Sequence, residues 1–243
     1  MASEISEFKN VIEIGPGGGA LTGQIVLSIP KTAKFLAIEK DSKFISYLRE
    51  KFPKAEITEG DVLKILPELM AEQTQEYALV GNIPYYITGF LLREIGDSKN
   101  KPSKCIFMLQ REVAERICAE KGKMNRLSAS IRIWGKPKIL GIVPRGDFSP
   151  PPEVESAIIE INCAENDRLS DFSGIYLVIR AIFAQPRKTL LNNLSTAVNM
   201  PKADVFEKIK DLNIFENSRP QDLDVEQIFS IAKNFEKFFS RSA

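Results

Sequence analysis

Asn82-Ile83-Pro84-Tyr85 brings together a carboxamide, a carbonyl fixed by the following proline and an aromatic ring, the groups needed to hold a planar amine. The side-chain oxygen of Asn82 can accept a hydrogen bond from an exocyclic amino group, and the Ile83 carbonyl, kept extended ahead of Pro84, can accept another. Tyr85 can then stack on the ring that carries the amine. An isolated Asn-x-Pro-Tyr also serves as a polar turn. Its meaning therefore depends on what the rest of the chain presents.

Three earlier stretches supply that context. Glu13-Ile14-Gly15-Pro16-Gly17-Gly18-Gly19-Ala20-Leu21-Thr22 follows an apolar, strand-like run. Its glycines let the main chain turn sharply and approach a ligand closely, and the helix that follows offers its amino terminus. The same stretch satisfies G-x-G-x-x-A, so a nicotinamide-dinucleotide enzyme competes at this point. Ala37-Ile38-Glu39-Lys40 ends a second strand and places a carboxylate where both hydroxyls of a ribose can donate to it, a ribose that NAD and S-adenosylmethionine share. Asp61-Val62 begins to separate the two: the acid can accept from an adenine amine while the adjoining amide and apolar side chain read the ring edge and face. Asp61 also suits the N-cap of the helix after it, and both roles can coexist.

These residues need strand ends to hold them in one place. Short β-rich runs are predicted over Val11–Ile14, Phe35–Glu39, Glu56–Thr58, Tyr77–Val80, Cys105–Leu109, Ser128–Trp134, Ile139–Val143 and Ser156–Ile161. Between them, helical periodicity falls over Leu21–Ser28, Ser42–Phe52, Val62–Glu72, Thr88–Ile95 and Arg111–Glu120. The alternation predicts an α/β fold with a mostly parallel sheet of seven to eight strands and an antiparallel addition after Arg111. After Cys163 only helical periodicity remains, in Phe172–Ala184, Lys188–Val198, Lys202–Leu212 and Val225–Phe238, with the polar Ala164–Arg168 stretch as the expected linker. Two domains are expected, over residues 1–165 and 166–243. In that arrangement Gly15 and Gly17, Glu39, Asp61 and Asn82 fall at successive carboxyl ends of strands, where open α/β sheets bind ligands.

Composition narrows the chemistry. The 243 residues contain no histidine, which removes Ser-His and Cys-His nucleophiles and every His-ligated metal. Cys105, Cys118 and Cys163 are widely spaced and odd in number, so neither a disulfide framework nor a zinc cluster is expected, and no metal. Neither a signal peptide nor an apolar run of about eighteen residues occurs, which points to a soluble, cytoplasmic protein. The formal net charge of +1 conceals an asymmetry: Lys99–Arg145 holds twelve Lys and Arg against three Asp and Glu, and the flanking stretches are acidic. A local positive field of this kind fits contact with a phosphate backbone, as well as a plain solvated surface.

Taken with Asn82–Tyr85, the four strand-end motifs resemble those of the ribosomal RNA adenine dimethyltransferase family, class I S-adenosylmethionine enzymes with a Rossmann-like fold. The similarity extends along the chain. Phe107–Ala114 resembles the family's fifth strand and following helix, Asn125-Arg126-Leu127-Ser128 its G-R-L-S segment with asparagine in place of glycine, and Phe148–Ala157 its proline-rich loop. Phe183–Leu190 resembles the basic motif that opens its helical domain. The closest branch dimethylates two adjacent adenosines near the 3′ end of small-subunit ribosomal RNA. The resemblance implies a cofactor site of Glu13, Gly15, Gly17, Glu39, Lys40, Asp61, Val62 and Asn82, and catalysis by Asn82, Ile83, Pro84 and Tyr85, with Phe148 on the opposite face of the target base. It also implies RNA contacts from Arg111, Lys121, Lys123, Arg126, Arg187 and Lys188, a small helical RNA-recognition domain, a precursor of the small ribosomal subunit as partner, and a monomeric enzyme. Read without the family, Phe148 is a loop aromatic that packs into a core, and Pro186 marks a helix start. Family members carry a Q-N-F-L segment ahead of the first strand that helps close the cofactor pocket; ten residues precede Val11 here, and Met1-Ala2-Ser3 reads as a truncated or reannotated start. Two other readings stand beside this one: the related branch that methylates a large-subunit adenosine and confers macrolide resistance, and a ribosome-assembly factor with weak catalysis. The dinucleotide reading lacks a histidine or a Ser-Tyr-Lys proton relay.

Overall fold

The computed structural model describes residues 1–163 and 174–239. Its single sheet has seven strands among the described residues: β1 (Asn10–Ile14), β2 (Lys34–Glu39), β3 (Glu56–Glu59), β4 (Ala78–Asn82), β5 (Lys104–Gln110), β6 (Lys136–Val143) and β7 (Ser156–Asn162). The spatial order is β3-β2-β1-β4-β5-β7-β6. The first five strands are mutually parallel, β7 runs antiparallel to β5, and β6 antiparallel to β7, so the expected parallel sheet with an antiparallel addition is present. Helices α1 (Ala20–Ser28), α2 (Ser42–Lys51), α3 (Val62–Glu72) and α4 (Thr88–Asp97) connect the parallel strands, and α5 (Arg111–Cys118) follows β5.

The strands read as nearly continuous apolar runs because helices cover them. Val11, Ile12 and Ile14 of β1 and Ala78, Leu79 and Val80 of β4 are all buried. Ile25 of α1, Ile45 and Leu48 of α2 and Phe52 pack with Val11, Phe35, Ala37 and Ile57 in one cluster, which Ile5 of an amino-terminal 3-10 turn (Ala2–Ile5) joins. The chain moves outward through β1, β2 and β3 and then returns to the other side of β1 as β4. This reversal is the place where an open α/β sheet leaves a crevice at its carboxyl edge.

One predicted strand is a helix. Ser128–Trp134 alternates polar and apolar residues, but α6 spans Arg126–Arg132. The cap decides the outcome: Asn125 Oδ1 accepts hydrogen bonds from the Leu127 and Ser128 amides at 2.9 and 3.1 Å, and the Asn125 amide donates to Ser128 Oγ at 3.0 Å. This reciprocal pair satisfies the orphan amides of a first turn, and it outweighs a β-like alternation only seven residues long.

The remaining helices are α7 (Ile175–Ile182), α8 (Leu190–Val198), α9 (Lys202–Ile209), α10 (Val225–Asn234) and α11 (Glu236–Phe239). Val178, Ile179, Leu194, Val205, Ile228 and Ile231 are buried at helical spacing on them. The expected linker Ala164–Arg168, and the start of the helix expected from Phe172, lie outside the described residues. The chain forms two compact units, one from residues 1–114 and 136–163 and the other from 115–135 and 174–239 among the described residues. The second unit therefore takes α6 from the middle of the chain. No helix among the described residues is long and apolar enough to cross a membrane.

Candidate active site

The carboxyl ends of β1, β2 and β3 are cross-linked by main chain. The Gly15 amide donates to the Ile38 carbonyl at 2.9 Å, and the Gly60 amide to the Glu39 carbonyl at 2.8 Å. Gly15 and Gly17 both hold positive φ, 64° and 53°, a conformation that glycine adopts at no steric cost, and so the loop can fold back over the strand ends. A cleft of about 290 Å³ opens there. It is lined by Gly15 from the first strand end, by Glu39, Lys40 and Asp41 from the second, by Asp61 and Val62 from the third, and by Pro84, Tyr86 and Ile87 after the fourth.

Glu39 ties the pieces together. One carboxylate oxygen accepts from the Gly17 amide, and the other from the amides of Lys40 and Asp41, all at 2.8 Å. A carboxylate offers about four lone-pair positions, so roughly one remains for a ligand while the Gly17 bond is kept. One of these donors comes from a loop twenty-two residues earlier and two from the residues that follow Glu39, and together they let a carboxylate be nearly buried at a strand end.

Asp61 is the N-cap of α3, accepting from the Leu63 amide at 3.1 Å, and its other oxygen pairs with Lys40 Nζ at 2.9 Å. The Lys40 hydrogen bond, and after it the Leu63 amide, hold the Asp61 carboxyl below its ordinary range, while Asp61 raises the Lys40 ammonium. Both side chains are open to solvent, and an ion pair so exposed stabilises little. Asp61 is thereby kept ionised at the cleft and oriented as an acceptor.

Glu13 stands apart from the cleft lining. It is 1% exposed, with Thr22 Oγ1 of α1 donating to its carboxyl at 2.7 Å. Burial raises its pKa to about 7, against the Thr22 hydrogen bond, and the charge of Glu39 adds to the rise.

Asn82 closes β4 with its side chain exposed and makes no side-chain hydrogen bond among the described residues. The Ile83 amide is held by the Met108 carbonyl at 3.1 Å, while the Ile83 carbonyl receives no donor among the described residues. The Pro84 carbonyl accepts from the Ile87 amide at 3.1 Å, which winds Tyr85–Ile87 into a 3-10 turn leading into α4. Two acceptors, a carboxamide and a main-chain carbonyl, are thus left side by side in sequence without a donor among the described residues. Gly81 makes this junction possible: a Cβ at that position would lie 2.5 Å from the Ile14 carbonyl oxygen.

Of the residues expected from the sequence, Gly15, Glu39, Lys40, Asp61, Val62 and Pro84 line the cleft; Glu13, Gly17, Asn82 and Ile83 stand behind or beside it. Phe148 is half-buried after a 3-10 turn (Arg145–Asp147) and does not line the cleft. Asp41, Gly60, Tyr86 and Ile87 line it without having been singled out; for Tyr86 the signal was its place directly after the motif. The candidate RNA contacts differ among themselves. Arg111 pairs with Glu155 at 2.7 Å and Lys121 with Asp224 at 3.0 Å, whereas Lys123, Arg126, Arg187 and Lys188 are exposed and make no ion pair among the described residues.

A parallel sheet with its cleft at the β1/β4 reversal, a glycine loop on one side and an Asn-Ile-Pro-Tyr strand end on the other, defines a Rossmann-like methyltransferase. A family model for ribosomal RNA adenine dimethylase matches residues 1–237. The ribosomal RNA small subunit methyltransferase A of Dehalococcoides mccartyi strain CBDB1 is 36% identical over 231 residues, covering 93% of this chain and 78% of that protein. A dimethyladenosine transferase from Plasmodium falciparum superposes with a TM-score of 0.78 at 26% identity, covering 98% of this chain and 93% of the other. The 23S rRNA methyltransferase ErmE shares the fold, with a TM-score of 0.75 at 22% identity over 97% of this chain and 95% of the other. The chain belongs to the ribosomal RNA adenine dimethylase family.

Proposed function

We propose that the protein transfers methyl groups from S-adenosylmethionine to the exocyclic amines of two adjacent adenosines near the 3′ end of small-subunit ribosomal RNA, giving dimethyladenosines during ribosome biogenesis in the cytoplasm. The observation that carries this reading is the pair of acceptors without a donor among the described residues, Asn82 Oδ1 and the Ile83 carbonyl, at the end of the strand beside the cleft. An adenine amine is a weak nucleophile because its lone pair is conjugated into the ring. Two acceptors on its hydrogens favour the tetrahedral nitrogen that can attack, and holding the amine in line supplies much of the remaining acceleration. No histidine base enters, in keeping with a chain that has none.

The residues present fit the cofactor. Glu39 and Asp61 face the cleft as acceptors for a ribose hydroxyl and an adenine amine, Val62 offers an apolar face, and the glycine loop leaves main chain rather than side chains at the cleft edge. Bound there, S-adenosylmethionine supplies a methyl group on a sulfonium whose departure as a neutral thioether drives the transfer. Asn82, at the junction of the two sites, can touch both ligands. Tyr85 and Phe148 would stack on the two faces of the target base, at roughly 1–3 kcal/mol per stacked base, which offsets the few kcal/mol of drawing it out of a helix. A monomethylated amine keeps one hydrogen and a lone pair, so a second transfer can follow in the same pocket. The helical unit, with Lys123, Arg126, Arg187 and Lys188 unpaired among the described residues, is the RNA-recognition part; a monomer suffices for this arrangement.

Incubating the chain with labelled cofactor and, in separate reactions, unmethylated small subunits or unmethylated large-subunit RNA, followed by nucleoside analysis, tests the proposal. Dimethyladenosine in small-subunit RNA is the expected product. Methylation confined to large-subunit RNA would instead assign the macrolide-resistance activity.

A further inference from the structure

We propose that Tyr86 and Phe90 form a stacking platform for an unpaired RNA base next to the target adenosine, an inference that rests on the ribosomal RNA reading above. Tyr86 is 74% and Phe90 69% exposed, while Ile87, Thr88, Leu91 and Leu92 around them are buried. Tyr86 belongs to the 3-10 turn that leads into α4 and Phe90 to the first turn of α4, and both side chains are open to solvent along this junction. Between them Gly89 leaves bare main chain: a Cβ there would meet nothing within 4 Å. Two exposed aromatic rings flanking bare main chain suit a flat, sequence-tolerant π ligand such as a nucleobase. The place on the molecule selects RNA over a protein side chain. Tyr86 lines the cleft and directly follows Asn82–Tyr85, whereas Phe90 lies outside the cleft lining, so the platform runs from the mouth of the site outward along α4. An adenosine turned out of its helix brings unpaired neighbours to that surface. One turn further Arg93 is ion-paired with Asp97, so stacking rather than net charge dominates this face.

Phe90 is the discriminating position because it does not line the cofactor cleft. The full chain and its Phe90→Ala, Phe90→Leu and Phe90→Tyr variants are compared for affinity to unmethylated small subunits, for KM and kcat of methyl transfer, and for cofactor affinity. Phe90→Ala and Phe90→Leu are expected to raise KM and weaken subunit binding by about five-fold or more. Both should leave kcat and cofactor affinity within about two-fold and the salt dependence of binding unchanged, since every cation that meets a phosphate stays in place, and Phe90→Tyr should restore the parent values. Parent-like KM and affinity in Phe90→Ala would overturn the platform, as would full recovery in Phe90→Leu, which would make the face an apolar contact for a protein. If the parent binds subunits without methylating them, the activity reading fails, and the ratio of Phe90→Ala to parent affinity still decides the platform. A parent that neither binds nor methylates subunits overturns both.

Discussion

Glu13 shows how much a single carboxyl can cost when it is taken out of water beside a binding loop. Its folded pKa of about 7 lies above the value of 4.5 expected in an unfolded chain, so between these values the folded state binds more protons. Its contribution to stability is then fullest below about pH 4.5 and is lost as pH rises through about 7. Glu13→Gln keeps an acceptor for Thr22 Oγ1 and removes the titration. Thermal melting across pH should find the variant similar to the parent near pH 5 and more stable by about 3 kcal/mol or less at pH 8; parallel curves across that range would mean that Glu13 ionises normally. Glu13 entered through the family resemblance, and sequence alone singled out Glu39 and Asp61 as acids at strand ends. It could not reveal that Glu39 accepts from the Gly17 amide, because that bond joins residues far apart in the chain. The N-cap role of Asp61 was legible, since that signal is local. Tyr86 escaped because exposure at a cleft mouth leaves no trace in periodicity.

At the scale of elements, β1 and β4 matter most, because their carboxyl ends carry the glycine loop and Asn82. Ile14 and Gly81 are register partners, and the 2.5 Å approach of an added Cβ to the Ile14 carbonyl oxygen means that any side chain at 81 must push the two strand ends apart. Gly81→Ala is expected to destabilise by about 1–3 kcal/mol, the range for overpacking, and to lower methyl transfer beyond what the loss of folded protein explains. Gly23→Ala in α1 is the contrast: its Cβ would meet Phe52 at an ordinary 3.7 Å, and a helix-interior glycine gives way to alanine with a gain of roughly 0.5–1 kcal/mol. Denaturant melts and activity per folded molecule distinguish the two, and a Gly81→Ala protein with parent-like stability and turnover would show that the junction is slack. The parallel strands were readable from their apolar runs and intervening helices, and α3 to the residue. The sheet order was not, since it depends on pairing between distant segments, and α6 was missed because Asn125 and Ser128 cap each other in a way that alternation hides.

For the whole molecule, counting charges along the chain overstated the basic field. Lys104 meets Glu7 and Glu160, Lys138 meets Glu160, Arg111 meets Glu155 and Lys121 meets Asp224, so acids from outside Lys99–Arg145 neutralise part of its excess. The candidates without an ion pair among the described residues, Lys123, Arg126, Arg187 and Lys188, belong to the helical unit. Replacing Lys123 and Arg126 with alanine should weaken binding to small subunits and lower the slope of log affinity against log salt by about 1 for each phosphate that is no longer neutralised. The same change at Lys121 should do less, and equal slopes throughout would make these cations a solvated surface. RNA capture and methyl transfer are thus assigned to different residues, and this division is what a single-turnover experiment can separate. Asn82→Ala is combined with unmethylated small subunits and cofactor, and the affinities for both are measured in parallel. Because the Asn82 acceptor matters most as the amine becomes tetrahedral, the rate should fall by about a hundred-fold or more, as when one preorganised partner of a transition state is removed, with both affinities within a few-fold. Transfer at the parent rate would return Asn82-Ile83-Pro84-Tyr85 to a structural turn and contradict the mechanism.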